Sequence, residues 1–276
     1  MPLPKISIII PCYNVGNTIT ETLDSVLVQT YPNIEVITVD DGSIDNTHEI
    51  LEQFAAKYPH INVYAQENKG LPATRNVGFV HSTGEFLVFL DGDDKLDPLY
   101  IEACYTKFSQ NTELDLVYTK TEFFEARTGI FDLPDYSYRQ LLIGNCIPAT
   151  AMIRANNFRK VGLYDASLRI TEDWELWIKY LYEYPNVYQI KKPLFFYRKR
   201  LSKDSMTDLN AENNNKLGES TRLYIYHKHY NIYNEYGYGL EKLFVFFENE
   251  NKYRKKYYNV WYRKLFYKLF NKKKLE

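Results

Sequence analysis

Asp91, Asp93 and Asp94 place three acids within four positions, directly after the apolar run "FLVFL". Carboxylates this close repel one another unless a cation neutralises them. A hard divalent ion does so, and an all-oxygen ligand set suits Mg2+ or Mn2+, which fill their shells with phosphate oxygens and water. The plainer reading is a solvated acidic turn, with Asp97 and Pro98 opening the next helix. A second acidic pair, Asp40 and Asp41 in "DDGS", follows another apolar run. One acid there can accept hydrogen bonds from a nucleobase or ribose, while Ser43 and Asp45 can equally cap a helix. Tyr13 in "PCYN" offers an aromatic face on which a base can stack, or simply packs, as tyrosines commonly do. Lys69, Arg75 and Asn76 in "NKGLPATRN" suit a diphosphate or an exposed helix face. Glu172 and Asp173 in "TEDWELW" stand at a helix start, where the dipole favours an ionised carboxylate. A general base needs that state near neutral pH, though ordinary first-turn acids share it. "FYRKRLSKDSMT" is a basic loop that either closes over phosphates or is a solvated connection.

The elements that must carry these residues alternate in the first half. "KISIIIP", "IEVITVD", "INVYAQ" and "EFLVFLD" read as strands. Between them lie amphipathic helices, with Ile19, Leu23, Val26 and Leu27 on one face of the first and Ile50, Leu51 and Phe54 in the second. "LPATRNVGFVHS" reads as a third helix with Pro72 near its start. Alternation of this kind predicts βαβ units and an α/β, mainly parallel sheet covered on both faces. Ligands then bind beyond the carboxyl ends of the strands, which puts "PCYN", "DDGS" and "DGDD" on one rim. In the second half "ELDLVYTKTEFFE" predicts a strand pair and "TEDWELWIKYLYEY" a helix with Trp174, Trp177, Ile178 and Leu181 on one face. "VYQIKKPLFFYRKR" predicts a strand running into a loop. "NAENNNKLGES" reads as a loop or linker, and helical, aromatic, basic sequence follows.

Bulk properties narrow the class. Apolar residues make up 45% of the 276, enough for a sizeable core. No apolar run approaches the ~18 residues of a transmembrane helix, and the first residues make a poor signal peptide, so a cytoplasmic chain is expected. Cys12, Cys104 and Cys146 have no metal-type spacing and read as free buried thiols. Asn251 to Glu276 carries ten Lys or Arg and one acid, beside a body of formal charge −10. Trp261, Leu265 and Leu269 share a helical face there, interrupted by Lys268 and Lys272. Such a tail fits peripheral contact with the anionic inner face of the plasma membrane, or a helix packed on the catalytic domain. No nucleic-acid motif accompanies the charge. G-x-G-x-x-G is missing after the first strand, which removes a dinucleotide oxidoreductase.

In order and spacing, "SIIIPCYN", "SVLVQTYPNIEVITVDDGSIDNT", "NKGLPATRNVGF", "GEFLVFLDGDD", "FRKVGLYD" and "TEDWELW" resemble glycosyltransferase family 2. That is the inverting group with the Rossmann-like, nucleotide-sugar-binding GT-A fold. The likeness covers about residues 4 to 200, implying a catalytic domain at 1–205 and a helical, basic-aromatic extension at 206–276. It implies a Mn2+- or Mg2+-dependent transfer of one sugar from a nucleoside-diphosphate sugar to a saccharide or lipid-linked acceptor, in cell-surface polysaccharide or glycoconjugate synthesis. UDP is the default nucleotide, with dTDP and GDP open. Pro11, Tyr13, Asn14 and Asp41 would meet the nucleobase side, with Arg75 near the nucleotide. Asp91-Gly92-Asp93 matches the family's D-x-D, Asp91 toward ribose and diphosphate and Asp93 on the metal. Asp173 would be the catalytic base, with Glu172 beside it, and Tyr197 and Arg198 would belong to the loop over the diphosphate. Lys199 and Arg200 stand where many relatives carry a histidine. The Q-x-x-R-W element of processive polymerases is absent, which implies single-sugar transfer. The competing readings are a catalytically inactive relative that binds nucleotide sugar or a partner, and a nucleotidyltransferase. The latter wants a Gly-rich basic phosphate loop that "PCYNVGN" does not supply.

Overall fold

The computed structural model describes residues 2–201 and 216–245. Two compact units are present, Met1–Ile225 and Tyr226–Glu276. The first is built on a nine-stranded sheet. Its parallel half comprises β1 (Ile6–Cys12), β2 (Ile34–Asp40), β3 (Ile61–Ala65) and β4 (Phe86–Phe89), ordered β3-β2-β1-β4. Helices α1 (Ile19–Leu27), α2 (Thr47–Lys57) and α3 (Leu71–Val80) make the crossovers. The expected alternation is therefore the observed one, and the physical reason is burial: all seven residues of β1 are buried. Ile6, Ile8 and Ile10 pack into a core with Ile19, Leu23 and Val26 of α1. On the other face α3 lies so close that a methyl group at Gly78 would sit 2.3 Å from Ile9 Cγ2. Only glycine permits that approach.

The sheet continues through β8 (Met152–Arg154), β6 (Leu116–Glu125), β9 (Val187–Lys199) and β5 (Lys95–Leu96), with β7 (Gly129–Phe131) paired to β6. The antiparallel ladders here are only two or three residues long, whereas β6 and β9 run parallel along most of their length, so the sheet is mostly parallel. The strand pair expected in "ELDLVYTKTEFFE" is instead one long strand, β6, and its hairpin partner β7 comes after it. The expected loop after "VYQIK" is also strand. β9 runs on to Lys199, and "KKP" is absorbed as an irregularity in register with β6, the kind of place where a proline is tolerated in a sheet.

Four helices complete this half: α4 (Tyr100–Gln110), α5 (Tyr138–Ile143), α6 (Ala155–Lys160) and α7 (Glu172–Glu183). Trp174, Trp177, Ile178 and Leu181 of α7 are buried as their spacing predicts. Further helices are α8 (Lys216–Lys228) and α9 (Tyr230–Glu235). The stretch expected as a linker is thus helical from Lys216; its earlier residues, the end of "FYRKRLSKDSMT" and the basic tail with Trp261, Leu265 and Leu269 lie outside the described residues. Cys12, Cys104 and Cys146 are free and buried, as expected. Among the described residues no helix is long and apolar enough to cross a membrane.

Candidate active site

The carboxyl ends of β1, β2 and β4 bring "PCYN", "DDGS" and "DGDD" to one rim, because parallel strands that start in register also finish together. Pro11 is buried on β1 opposite Val39. Tyr13 beyond it is 50% exposed, an aromatic face turned out of the packing. Asn14 takes the left-handed region (φ 51). Its backbone N–H donates to Ser43 Oγ at 3.0 Å and its Oδ1 accepts from Ile44 N at 2.9 Å, locking the two loops together.

Asp41 is buried, and its carboxylate organises the neighbouring loop. Gln66 Nε2 donates to Oδ1 at 2.6 Å, Lys69 N to Oδ1 at 2.8 Å and Gly70 N to Oδ2 at 2.8 Å. Gly70 has φ 87, a conformation that costs a side-chain-bearing residue strain, and it opens α3. Arg75, one turn into α3, is inside the protein. Its Nη2 donates to Asp91 Oδ1 and its Nη1 to Glu172 Oε1, both at 2.6 Å. The guanidinium also lies 5.2 Å from the Tyr164 ring centre. Asn76 exchanges two hydrogen bonds with the Tyr164 backbone and so holds that segment against α3. Arg75 therefore joins the acidic turn to the start of α7, whose Glu172 lies 97 residues beyond Arg75 in the sequence.

The acidic turn itself is divided by function. Asp94 is buried and accepts from Arg198 N at 2.8 Å. Burial, and then the charges of Asp93 and Asp91, push its pKa well above the usual carboxylate range. Asp93 is raised as well, by burial and then by Asp91, with Arg200 opposing. Arg200 donates from Nε (3.1 Å) and Nη2 (2.7 Å) to Asp93 Oδ2. Arg198 is buried and committed to structure: Nε on the Asp93 carbonyl at 2.6 Å, Nη1 on Glu125 at 2.6 Å, Nη2 on Glu21 at 3.1 Å. Among the described residues no group of three His, Cys, Asp or Glu side chains is placed to hold a metal. The donor chemistry of Asp91 and Asp93 still fits a hard ion. Both offer oxygen only, and Asp91 Oδ2 and Asp93 Oδ1 lie outside the Arg75 and Arg200 pairs. Mg2+ commonly needs no more than two carboxylates, taking its remaining ligands from phosphate and water.

At the other side of the cleft, Thr171 adopts φ 56, unfavourable for a β-branched residue, and starts α7. Glu172 turns inward to Arg75. Asp173 turns the other way, half-buried, with Asn145 Nδ2 donating to Oδ2 at 2.7 Å and Trp174 N to Oδ1 at 2.8 Å. Burial, then the charge of Glu172, lifts the Asp173 pKa to about 7, against the lowering effects of Arg75, Trp174 N and Asn145. The dipole is thus not the dominant influence on this carboxyl. Its neighbour Asn145, in the loop between α5 and β8, has no mark in the sequence beyond lying in a polar loop. Nothing in the spacing of Arg75 shows that it turns inward either.

The family model for glycosyl transferase family 2 matches residues 7–162. An uncharacterized glycosyltransferase of Rickettsia typhi, RT0329, is 36% identical over 193 residues, covering 64% of this chain and 59% of its own. Glycosyltransferase GlyA of Streptococcus pneumoniae is 38% identical over 127 residues, 46% of this chain and 18% of its own. The chain thus spans about three fifths or less of these relatives. Among solved structures, S. aureus TarS 1-349 superposes with TM-score 0.63 at 24% identity, covering 70% of this chain and 60% of that one. The same protein has also been solved in complex with UDP-GlcNAc, with TM-score 0.63 and 71% of this chain covered. The likeness extends the GT-A fold to this chain.

Proposed function

This chain belongs to glycosyl transferase family 2, and on that premise we propose that it transfers one sugar from a nucleoside-diphosphate sugar to an acceptor hydroxyl, with inversion. The donor is in the first instance a UDP-sugar and the acceptor a saccharide or lipid-linked glycan, in the synthesis of a surface polysaccharide or glycoconjugate. The observation that carries this reading is the Asp173 carboxylate. It is held by Asn145 and Trp174 N with a pKa raised to about 7, and is tied through Glu172, Arg75 and Asp91 to an acidic turn on the nucleotide side of the cleft.

Each residue then has a task. The Tyr13 ring faces the base, and the loop that Asp41 holds, with Asn14 and Pro11, shapes that end of the cleft. Asp91 and Asp93 would hold Mn2+ or Mg2+. Such an ion, when bound, neutralises charge developing on a departing diphosphate. Asp173 accepts the proton of the acceptor hydroxyl as that oxygen attacks the anomeric carbon from the face opposite the nucleotide. A carboxyl titrating near the working pH is matched to proton transfer, which typically contributes about 10²–10⁴-fold. A single displacement of this kind converts an α-linked donor into a β-linked product. Glu172 and Arg75 keep Asp173 aimed and touch no substrate.

The test is nucleotide release from a panel of UDP-, dTDP- and GDP-sugars with Mn2+ and oligosaccharide acceptors. We expect turnover with one donor, and for Asp173→Asn a loss of about 10²-fold or more with donor affinity kept. Near-normal turnover in that variant would remove Asp173 from its role. Donor binding without any turnover by the parent chain would favour the inactive-relative reading.

A further inference from the structure

The strongest unused observation at the site is the ion pair between Arg200 and Asp93. The side chains are 25% and 21% exposed, so the pair is largely shielded from water. Its guanidinium Nε–H and an Nη2–H converge on one oxygen, a charge-assisted arrangement of the strong kind. The backbone around Arg200 is anchored. Lys199 O accepts from Ala126 N at 2.9 Å, Leu201 N donates to Glu125 at 3.3 Å, and the buried Arg198 side chain grips the carbonyl of Asp93 itself. The strand end is therefore fixed over the acidic turn, and rearrangement there falls to the Arg200 side chain. A guanidinium keeps its proton in proteins and cannot ligate a cation, so it can only compete with one.

We propose that Arg200 is a built-in counter-cation for Asp93, with which a divalent ion must compete for that carboxylate, so that ion and nucleotide bind together far better than either does alone. The proposal rests on the reading of Asp91 and Asp93 as the ion-holding pair. An ion arriving alone sets a second cation against the same carboxylate and works against the two hydrogen bonds that Arg200 makes to Asp93. An ion arriving with a nucleoside diphosphate brings phosphate oxygens to the same turn. The planar fork of arginine matches those oxygens with two parallel hydrogen bonds. The loss of one carboxylate partner is then offset by the gain of a phosphate. By linkage, the nucleotide strengthens ion binding by the same factor as the ion strengthens nucleotide binding, and such couplings are typically about 5–150-fold. Arg200 would thereby discourage occupancy of the site by an ion without its nucleotide.

The experiment titrates Mn2+ into the full chain, following free Mn2+ by electron paramagnetic resonance, with and without saturating UDP. The parent, Arg200→Ala, Arg200→Lys and Asp93→Ala are compared, and thermal melting confirms that each is folded. For Arg200→Ala we expect Mn2+ alone to bind about 10-fold tighter than in the parent, and the gain from UDP to shrink by a similar factor, within the usual span of such couplings. Arg200→Lys, a point charge without the fork, should fall between. Unchanged or weaker binding of Mn2+ alone by Arg200→Ala would overturn the inference. If that happens while the parent still takes Mn2+ with UDP and Asp93→Ala does not, only Arg200 loses its role. If no chain takes Mn2+ under either condition, the ion-holding reading and this inference fall together.

Discussion

Asp173 shows how one side chain's surroundings set both its chemistry and its cost. Burial and the Glu172 charge raise its pKa to about 7, well above the unfolded value near 3.9. Between those two pH values the folded protein holds a proton that the unfolded chain has released. This group's stabilising effect is therefore complete below about pH 4 and is lost as pH rises through about 7. Transfer runs the other way, because only the ionised form accepts a proton; the rate should climb through about pH 7 to a plateau. Asp173→Asn, which stays neutral, is expected to raise Tm relative to the parent at pH 8 and hardly at all at pH 4. A gain of the same size at both pH values would show that the carboxylate is not held at a cost. The sequence placed Asp173 at a helix start but pointed to the dipole as the controlling influence. The controlling one is desolvation, which depends on what packs around the helix end, and Asn145 arrives from a loop with no pattern to announce it. The two arginines of "YRKR" likewise stand two residues apart, yet Arg198 is buried in four-way contact with its surroundings while Arg200 reaches Asp93.

Among the elements, the loop between β3 and α3 depends most on a single carboxylate. Asp41 accepts from Gln66, Lys69 N and Gly70 N, and two of those donors are backbone groups. In Asp41→Asn one acceptor oxygen becomes an amide NH2, a donor facing an N–H. A buried donor left without an acceptor costs about 1–3 kcal/mol, and more when the lost partner is charged. The urea midpoint of Asp41→Asn should fall accordingly, with nucleotide affinity reduced because the loop is displaced. Weaker nucleotide binding at an unchanged midpoint would instead mean that Asp41 reads the base directly. The rim itself was legible: "SIIIP", "IEVITVD" and "FLVFL" are apolar without interruption because both faces are covered, and rules of strand order put their ends together. The course of β6 and β9 was less so. Thr119, Lys120 and Thr121 break the apolar pattern of a strand that is nonetheless continuous, and "KKP" mimics a loop where β9 only slips in register. Parallel pairing of β6 with β9 across that irregularity joins segments far apart in sequence, which periodicity cannot register.

For the molecule as a whole, charge is distributed unevenly. A formal −10 in the first 250 residues stands against +9 in the last 26, so the overall −1 conceals an acidic body and a short basic tail. Anionic membranes attract basic segments, and each Lys or Arg near the surface adds about 1 kcal/mol at low ionic strength. The full chain is expected to sediment with vesicles of phosphatidylcholine and phosphatidylglycerol at low salt. It should be released at about 1 M salt, where the screening length falls to about 3 Å. A chain truncated after Asn251 should stay in solution in both. If the truncated chain sediments as the full chain does, the tail is not the anchor.

The internal position of Arg75 bears on how such a protein can be altered. Its guanidinium answers to two acids that stand far apart in the sequence, Asp91 and Glu172. A graft that replaces Gly92 through Glu172 keeps both partners of Arg75 only if the incoming piece ends on a carboxylate at the same spot. Without it, a charge is stranded in the interior. Segments of this stretch are exchangeable, then, in units that leave Glu172 in place or bring their own carboxylate to it.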